Sequence, residues 1–193
     1  MKASQAAAKL RPQWPEIFVN IGASSFALGK FNEAVTAYRQ AIRLDDDSPE
    51  TQYALGLSLG KINETDEEIL AYRRAITLKP DHANAIEKLG EAYFKQKKWK
   101  EAAESFEQLK MYKPDSRTYN FLGEAYFELE KPEDSLSAFN NAVNYDPDFD
   151  KARFNLGRAY IKLGTPEMAM VQYEILRNSR SDWADRLLVL LNP

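Results

Sequence analysis

Few residues in this chain could do chemistry, and their spacing argues against each candidate. His82 is the only histidine, and it lies in the turn Lys79-Pro80-Asp81-His82. Nucleophilic, general-base or metal chemistry needs partners that no local spacing supplies. With zero cysteines, disulfides and thiolate zinc sites are excluded. Asp45-Asp46-Asp47-Ser48-Pro49-Glu50 is rich in oxygen ligands, but a calcium loop needs glycine at its sixth position and glutamate at its twelfth. Here those places hold Glu50 and Gly56. The segment reads better as a helix start, with Ser48 as N-cap and Pro49 in the first turn. Lys95-Gln96-Lys97-Lys98-Trp99-Lys100 mixes cations with an aromatic ring; the tryptophan reads as packing and the lysines as a solvated turn. Glu87 and Glu91 are read as lying on an open helix face, where a raised carboxyl pKa is hard to arrange. No glycine-rich phosphate loop occurs. The chain is therefore expected to be neither an enzyme nor a cofactor or metal carrier.

What positions these residues is a repeat. Gly22, Gly56, Gly90, Gly123 and Gly157 are spaced 34, 34, 33 and 34 residues apart. Each follows an aliphatic residue: Ile21, Leu55, Leu89, Leu122 and Leu156. Sixteen residues after each glycine stands an aromatic column of Tyr38, Tyr72, Phe106, Phe139 and Tyr173. Twelve residues after each come Ala34, Glu68, Ala102, Ser135 and Ala169, and Pro80, Pro114 and Pro147 close three of the units. Within each unit two stretches show the three- and four-residue apolar spacing of amphipathic helices. No alternating strand pattern is present. A helix pair with one apolar face cannot bury it alone, so each pair is expected to stack on the next.

The pattern resembles the tetratricopeptide repeat, a 34-residue helix–turn–helix family, over residues 15–181. The resemblance implies an all-α, right-handed solenoid of about five units. Residues 1–193 read as one such domain, with repeats at 15–48, 49–82, 83–115, 116–149 and 150–183. Residues 3–14 match the tail of a preceding repeat, and 182–192 read as a capping helix that lacks the glycine. Repeat two departs from the family at Gln52, Thr65 and Glu68 and is expected to pack most loosely. The missing residue between Pro114 and Gly123 is expected to alter rotation between repeats three and four.

The resemblance further implies that first helices line a concave surface. The residues placed on it are Val19 and Phe26, Tyr53 and Leu57, Glu87, Glu91 and Phe94, Asn120, Glu124 and Phe127, and Phe154 and Arg158. The expected function is a protein-binding scaffold or adaptor, with an extended or helical partner segment carrying apolar and basic residues. Convex or edge binding, self-association through the ends, and service as a substrate-recruiting part of a larger protein stay open. The chaperone-tail clamp of some family members is not implied, because its places hold Val19, Ala23, Ala54, Asn84 and Lys88. A net charge of −3 and a pI of about 5.4 give no broad case for nucleic acid. The longest apolar run, Leu187 to Leu191, is far too short to span a membrane. No leader is visible at the N-terminus, and the compartment is left open, leaning to the cytoplasm.

Overall fold

The computed structural model describes residues 14–44 and 48–192. The reading of residues 3–14 as a preceding repeat lies, apart from Trp14, outside them, as do Asp45, Asp46 and Asp47. Eleven helices and no strand occur among the described residues. In chain order they are α1 (Pro15–Ala27), α2 (Phe31–Arg43), α3 (Pro49–Lys61), α4 (Thr65–Leu78), α5 (Ala83–Lys95), α6 (Trp99–Leu109), α7 (Ser116–Glu128), α8 (Pro132–Tyr145), α9 (Asp150–Lys162), α10 (Pro166–Asn178) and α11 (Trp183–Leu191). They fall into two compact units, one ending at Ala92 and the other beginning at Tyr93. In the first, α1 packs on α2, α2 on α3 and α3 on α4; in the second, α6 to α11 pack successively, and α9 also meets α7 and α11.

Local chemistry sets the helix ends. Ser48 caps α3 by accepting from the Thr51 N–H, and Asp115 caps α7 by accepting from the Thr118 N–H at 2.7 Å. The turn within each repeat ends on a left-handed residue: Gly29, Asn63, Lys97, Glu130 and Gly164, with φ between 55° and 73°. These five keep the glycine period of the repeat. The following residue then donates its N–H back into the first helix, as in Lys98 to Tyr93 O at 3.0 Å and Lys131 to Tyr126 O at 3.0 Å.

The glycine and aromatic columns are one contact. A Cβ at Gly22 would lie 2.7 Å from the Tyr38 ring, one at Gly56 2.4 Å from Tyr72, and one at Gly123 2.5 Å from Phe139. The ring of the second helix lies directly on the bare backbone of the first, so the glycine serves the ring rather than backbone-to-backbone approach. The rings are buried in consequence, Tyr72 and Phe139 almost completely. The last repeat departs from this. The atoms nearest a Cβ at Gly157 belong to Leu187 of α11, at 2.6 Å. Leu187 is fully buried with Leu176 and Ala184, and Phe154, Ile161, Tyr173 and Trp183 pack around them.

Repeat two is not loose. Leu59, Tyr72 and Ala75 are as buried as their counterparts, and Gln52 and Glu68 are buried with them. The reason is an exchange of large and small residues. Four residues after the key glycine, the other repeats carry Phe26, Phe94, Phe127 or Ile161, and twelve after it they carry Ala34, Ala102, Ser135 or Ala169. Repeat two has Gly60 and Glu68 at those places. A Cβ on Gly60 would sit 2.5 Å from Glu68 Oε1, so the carboxylate occupies the volume the aromatic ring fills elsewhere. The Tyr72 hydroxyl donates to Glu68, and burial followed by the Glu68 charge pushes the Tyr72 hydroxyl well above its ordinary range.

Three outcomes are expected. Gly60→Phe alone should cost roughly 1–3 kcal/mol by overpacking, and Glu68→Ala alone a similar amount by leaving a void and removing the Tyr72 acceptor. The double variant restores the pattern of the other repeats and should recover most of that loss in a urea double-mutant cycle; simple additivity would refute the exchange. Gly164 has open space where a Cβ would go, so Gly164→Ala should lose about 1 kcal/mol from backbone strain alone, and Lys97→Gly should gain a few tenths or more. Finally, burial raises the hydroxyl pKa of Tyr38, Tyr53, Tyr72 and Tyr126. Folded values above the unfolded value of about 10 mean that this stability is complete below that pH and declines as pH rises past it. The melting temperature should therefore drop on the alkaline side, and less steeply in Tyr126→Phe.

Candidate protein-binding face

The first helix of each repeat carries every residue assigned to the binding surface, and the two units present them differently. In the first unit Val19 and Phe26 of α1 are half-buried and pack against a core of Val35, Tyr38, Leu55 and Leu59. Phe26 also meets Phe31 edge-on at 5.3 Å. Tyr53 of α3 lies against Tyr72 at 6.0 Å and His82 at 5.1 Å, and Leu57 is half-buried beside it on the same helix. His82 is thus a packing residue, and its Nδ1 accepts the Ala85 N–H at the start of α5.

The open acidic face expected on α5 is corrected. Glu87 is buried, and Glu91 is paired with Lys88, at 2.5 Å, rather than standing against Glu87 alone. Both carboxylates and Lys88 act on the Tyr53 hydroxyl, whose pKa burial raises first, with Lys88 opposing and the glutamates reinforcing. The first-unit face is therefore an apolar and aromatic surface bordered by a compensated charge pair.

In the second unit Phe94, at the end of α5, packs edge-on against Trp99 at 4.8 Å and Phe121 at 5.6 Å. Trp99 is a packing residue, as its sequence context implied. Asn120 of α7, placed on the exposed stripe by sequence, is buried at 1% exposure. Its amide donates to Glu124 Oε1 at 2.6 Å and its carbonyl accepts from Asn155 Nδ2 at 2.9 Å. Asn155 of α9 donates to Glu124 as well, at 3.1 Å, and Lys151 closes on the same oxygen at 2.6 Å. Glu124 is thus held by two amides and an ammonium.

The network continues outward. Asn155 Oδ1 accepts from Arg158 Nη1 at 3.2 Å, and the Arg158 guanidinium lies over the Phe127 ring with its carbon 4.3 Å from the centroid. Lys162 stands over the same ring at 4.9 Å, and Phe154 packs at a tilt against Trp183 of α11 at 4.8 Å. Arg186 covers Trp183 at 4.5 Å. Phe127 also packs on the core of Phe139, Leu156 and Ala159.

Sequence reasoning missed Asn155, and the cause is visible. Asn155 and Asn120 are 35 residues apart, one off the local 34-residue period, so column matching sets Asn155 against Phe121. It also missed Arg153, a buried arginine that donates to Gln172 Oε1 at 3.2 Å and to the Pro147 carbonyl at 2.7 Å, tying α9 to α10 and to the preceding loop. Arg186 lay outside any repeated column. Among the described residues, no group of three His, Cys, Asp or Glu could hold a metal ion, and no helix is long and apolar enough to cross a membrane.

Comparison with known proteins follows the same lines. A family model described as TPR repeat matches residues 22–63 and 123–164, and a model described as anaphase-promoting complex, cyclosome, subunit 3 matches residues 61–142. No curated protein sequence matches the chain. Among solved structures, MamA 41-end from Desulfovibrio magneticus RS-1 is 24% identical, with a TM-score of 0.78 over 89% of this chain and 95% of that one. A MamA RS-1 ArsTM double mutant is 25% identical, with a TM-score of 0.79 over 86% and 96%. A further MamA crystal structure is 22% identical, with a TM-score of 0.79 over 83% and 88%. These likenesses establish a solenoid of helix–turn–helix repeats. Together with the repeated glycine, aromatic and proline columns, the matched models place the chain in the tetratricopeptide-repeat family.

Proposed function

We propose that the chain is a scaffold that holds a segment of a partner protein on its first-helix face. Tetratricopeptide repeats support a protein-interaction role. The single observation that carries the finer reading is the character of that face. It presents half-buried rings and aliphatics, Phe26, Tyr53, Leu57, Phe94, Phe127 and Phe154, at helical spacing and beside oriented polar groups. Interface energy concentrates in such aromatic and arginine anchors. Val19, Glu87, Glu91, Asn120, Glu124 and Arg158 complete the surface. Of these, Glu87 and Asn120 act from beneath it, by setting the positions of their neighbours. The basic character expected of the partner would be read in the first unit, where Glu91 lies at the rim of Tyr53 and Lys88 compensates it. Catalysis has no part in this reading.

A second reading is self-association. The observation favouring it is an apolar stripe on α10, Met168, Val171 and Ile175, with Val189 and Leu190 exposed on α11.

The chain has no cysteine of its own, which makes site-specific crosslinking direct. Single cysteines carrying a photocrosslinker at Ala23 or Glu128, exposed on first helices, should trap the partner. The same probe at Leu70 or Val171, exposed on second helices, should not. The reverse distribution would move the site off the first-helix face, and crosslinks at Val171 joining two copies of the chain would establish the second reading.

A further inference from the structure

We propose that the α7, α9 and α11 face of the second unit takes an acidic peptide segment, its side-chain carboxylates received by Arg158, Lys162 and Arg186. The proposal rests on the first-helix face being the binding surface and adds to it the charge of the occupant.

The charges on this face are not balanced by each other. Glu124 is the carboxylate at its base, and it is already engaged by Asn120, Asn155 and Lys151. It therefore offers little to an incoming cation. The remaining cations are differently placed. Arg158 makes one side-chain hydrogen bond among the described residues, to Asn155, and its guanidinium carbon lies 4.3 Å from the Phe127 centroid. Its other N–H groups point to no acceptor among the described residues. Among the described residues Lys162 pairs with Glu130 alone, at 4.0 Å, and that glutamate is 85% exposed, so the pair is weak. Arg186 rests on the Trp183 ring and forms no ion pair among the described residues. Glu128 and Asp185, the exposed carboxylates on α7 and α11, form no ion pair with these cations among the described residues.

The arrangement is also prepared for binding. Guanidinium laid on an aromatic face is weakly hydrated and held in one plane, and its fork matches a carboxylate with two parallel hydrogen bonds. Asn155 fixes the Arg158 fork from one side, and Asn120 fixes Asn155 from beneath. Phe127, Phe154 and Trp183 join the three cations into one patch through contacts of 4.3 to 5.8 Å. The side-chain ordering that ligand capture ordinarily costs is largely complete beforehand.

The test uses the full chain and three fluorescent peptides with blocked ends: alternating glutamate and leucine, and the same sequence with glutamine or with lysine in place of glutamate. The acidic peptide should bind tightest, more weakly as salt rises, and should shift the Arg158 Nε–H resonance in labelled protein. Arg158→Gln should weaken it roughly tenfold, the equivalent of about 1.4 kcal/mol; Arg158→Lys should recover only part of that. Arg186→Gln, at an exposed position, should weaken it further without touching the fold, as circular dichroism would verify. If the acidic peptide binds no better than the glutamine peptide, or if both arginine variants leave it unchanged, the proposal is overturned. Preferential binding of the lysine peptide, abolished by Tyr53→Ala, would overturn it while leaving the first-helix face standing. Crosslinking confined to second helices would remove the face itself.

Discussion

A ring laid on a glycine is the contact on which the rest of this structure depends. In three of the repeats the aromatic side chain of the second helix comes so close to the first that even a methyl group would collide with it. Glycine in a helix interior costs about 1 kcal/mol relative to alanine, and the burial of a whole ring outweighs that cost. The contact fixes the distance and rotation between the two helices of a pair. It thereby fixes which residues of the first helix turn inward, and which remain on its outer face for a partner.

The contact tolerates substitution around it only when volume is conserved. Repeat two replaces the aromatic residue at the end of its first helix with Gly60 and places Glu68 where its neighbours have alanine or serine. Each change alone would damage the packing; together they keep it filled, with the Tyr72 hydroxyl satisfying part of the buried carboxylate. At the other end, Leu187 of α11 takes the place over Gly157 that a second-helix ring holds elsewhere. That leaves Tyr173 and Trp183 packed around Leu187, and Trp183 tilted against Phe154. A change in core packing thus brings α11, with Arg186, beside the first-helix face.

The chemistry of that face follows from electrostatic compensation within it. Buried polar groups must find partners because desolvation is costly. Glu124 finds two amides and a lysine, and Arg158 finds an amide and a ring. Once the carboxylates are neutralised internally, the free valence of the second-unit face is cationic, opposite in sign to the chain as a whole.

The sequence by itself determined the repeat, the helix pairs, the N-cap at Ser48 with Pro49 in the first turn, and the packing role of Trp99, whereas only the structure shows that the glycine column makes room for the rings. The former follow from local periodicity, and periodicity survives in one dimension. It also placed Phe26, Tyr53, Phe94, Phe127 and Phe154 on first helices. What it misjudged were exposures and partners. Glu87 and Asn120 look solvated in a helical projection, yet both are buried, Asn120 against Asn155 of α9. Lys88 relieves Glu91; Glu68 is accommodated by Gly60; and Asn155 reaches Asn120 from one residue off the repeat. Only tertiary structure decided these pairings, because a fixed period aligns equivalent positions but does not say which side chains of neighbouring helices come within hydrogen-bonding distance.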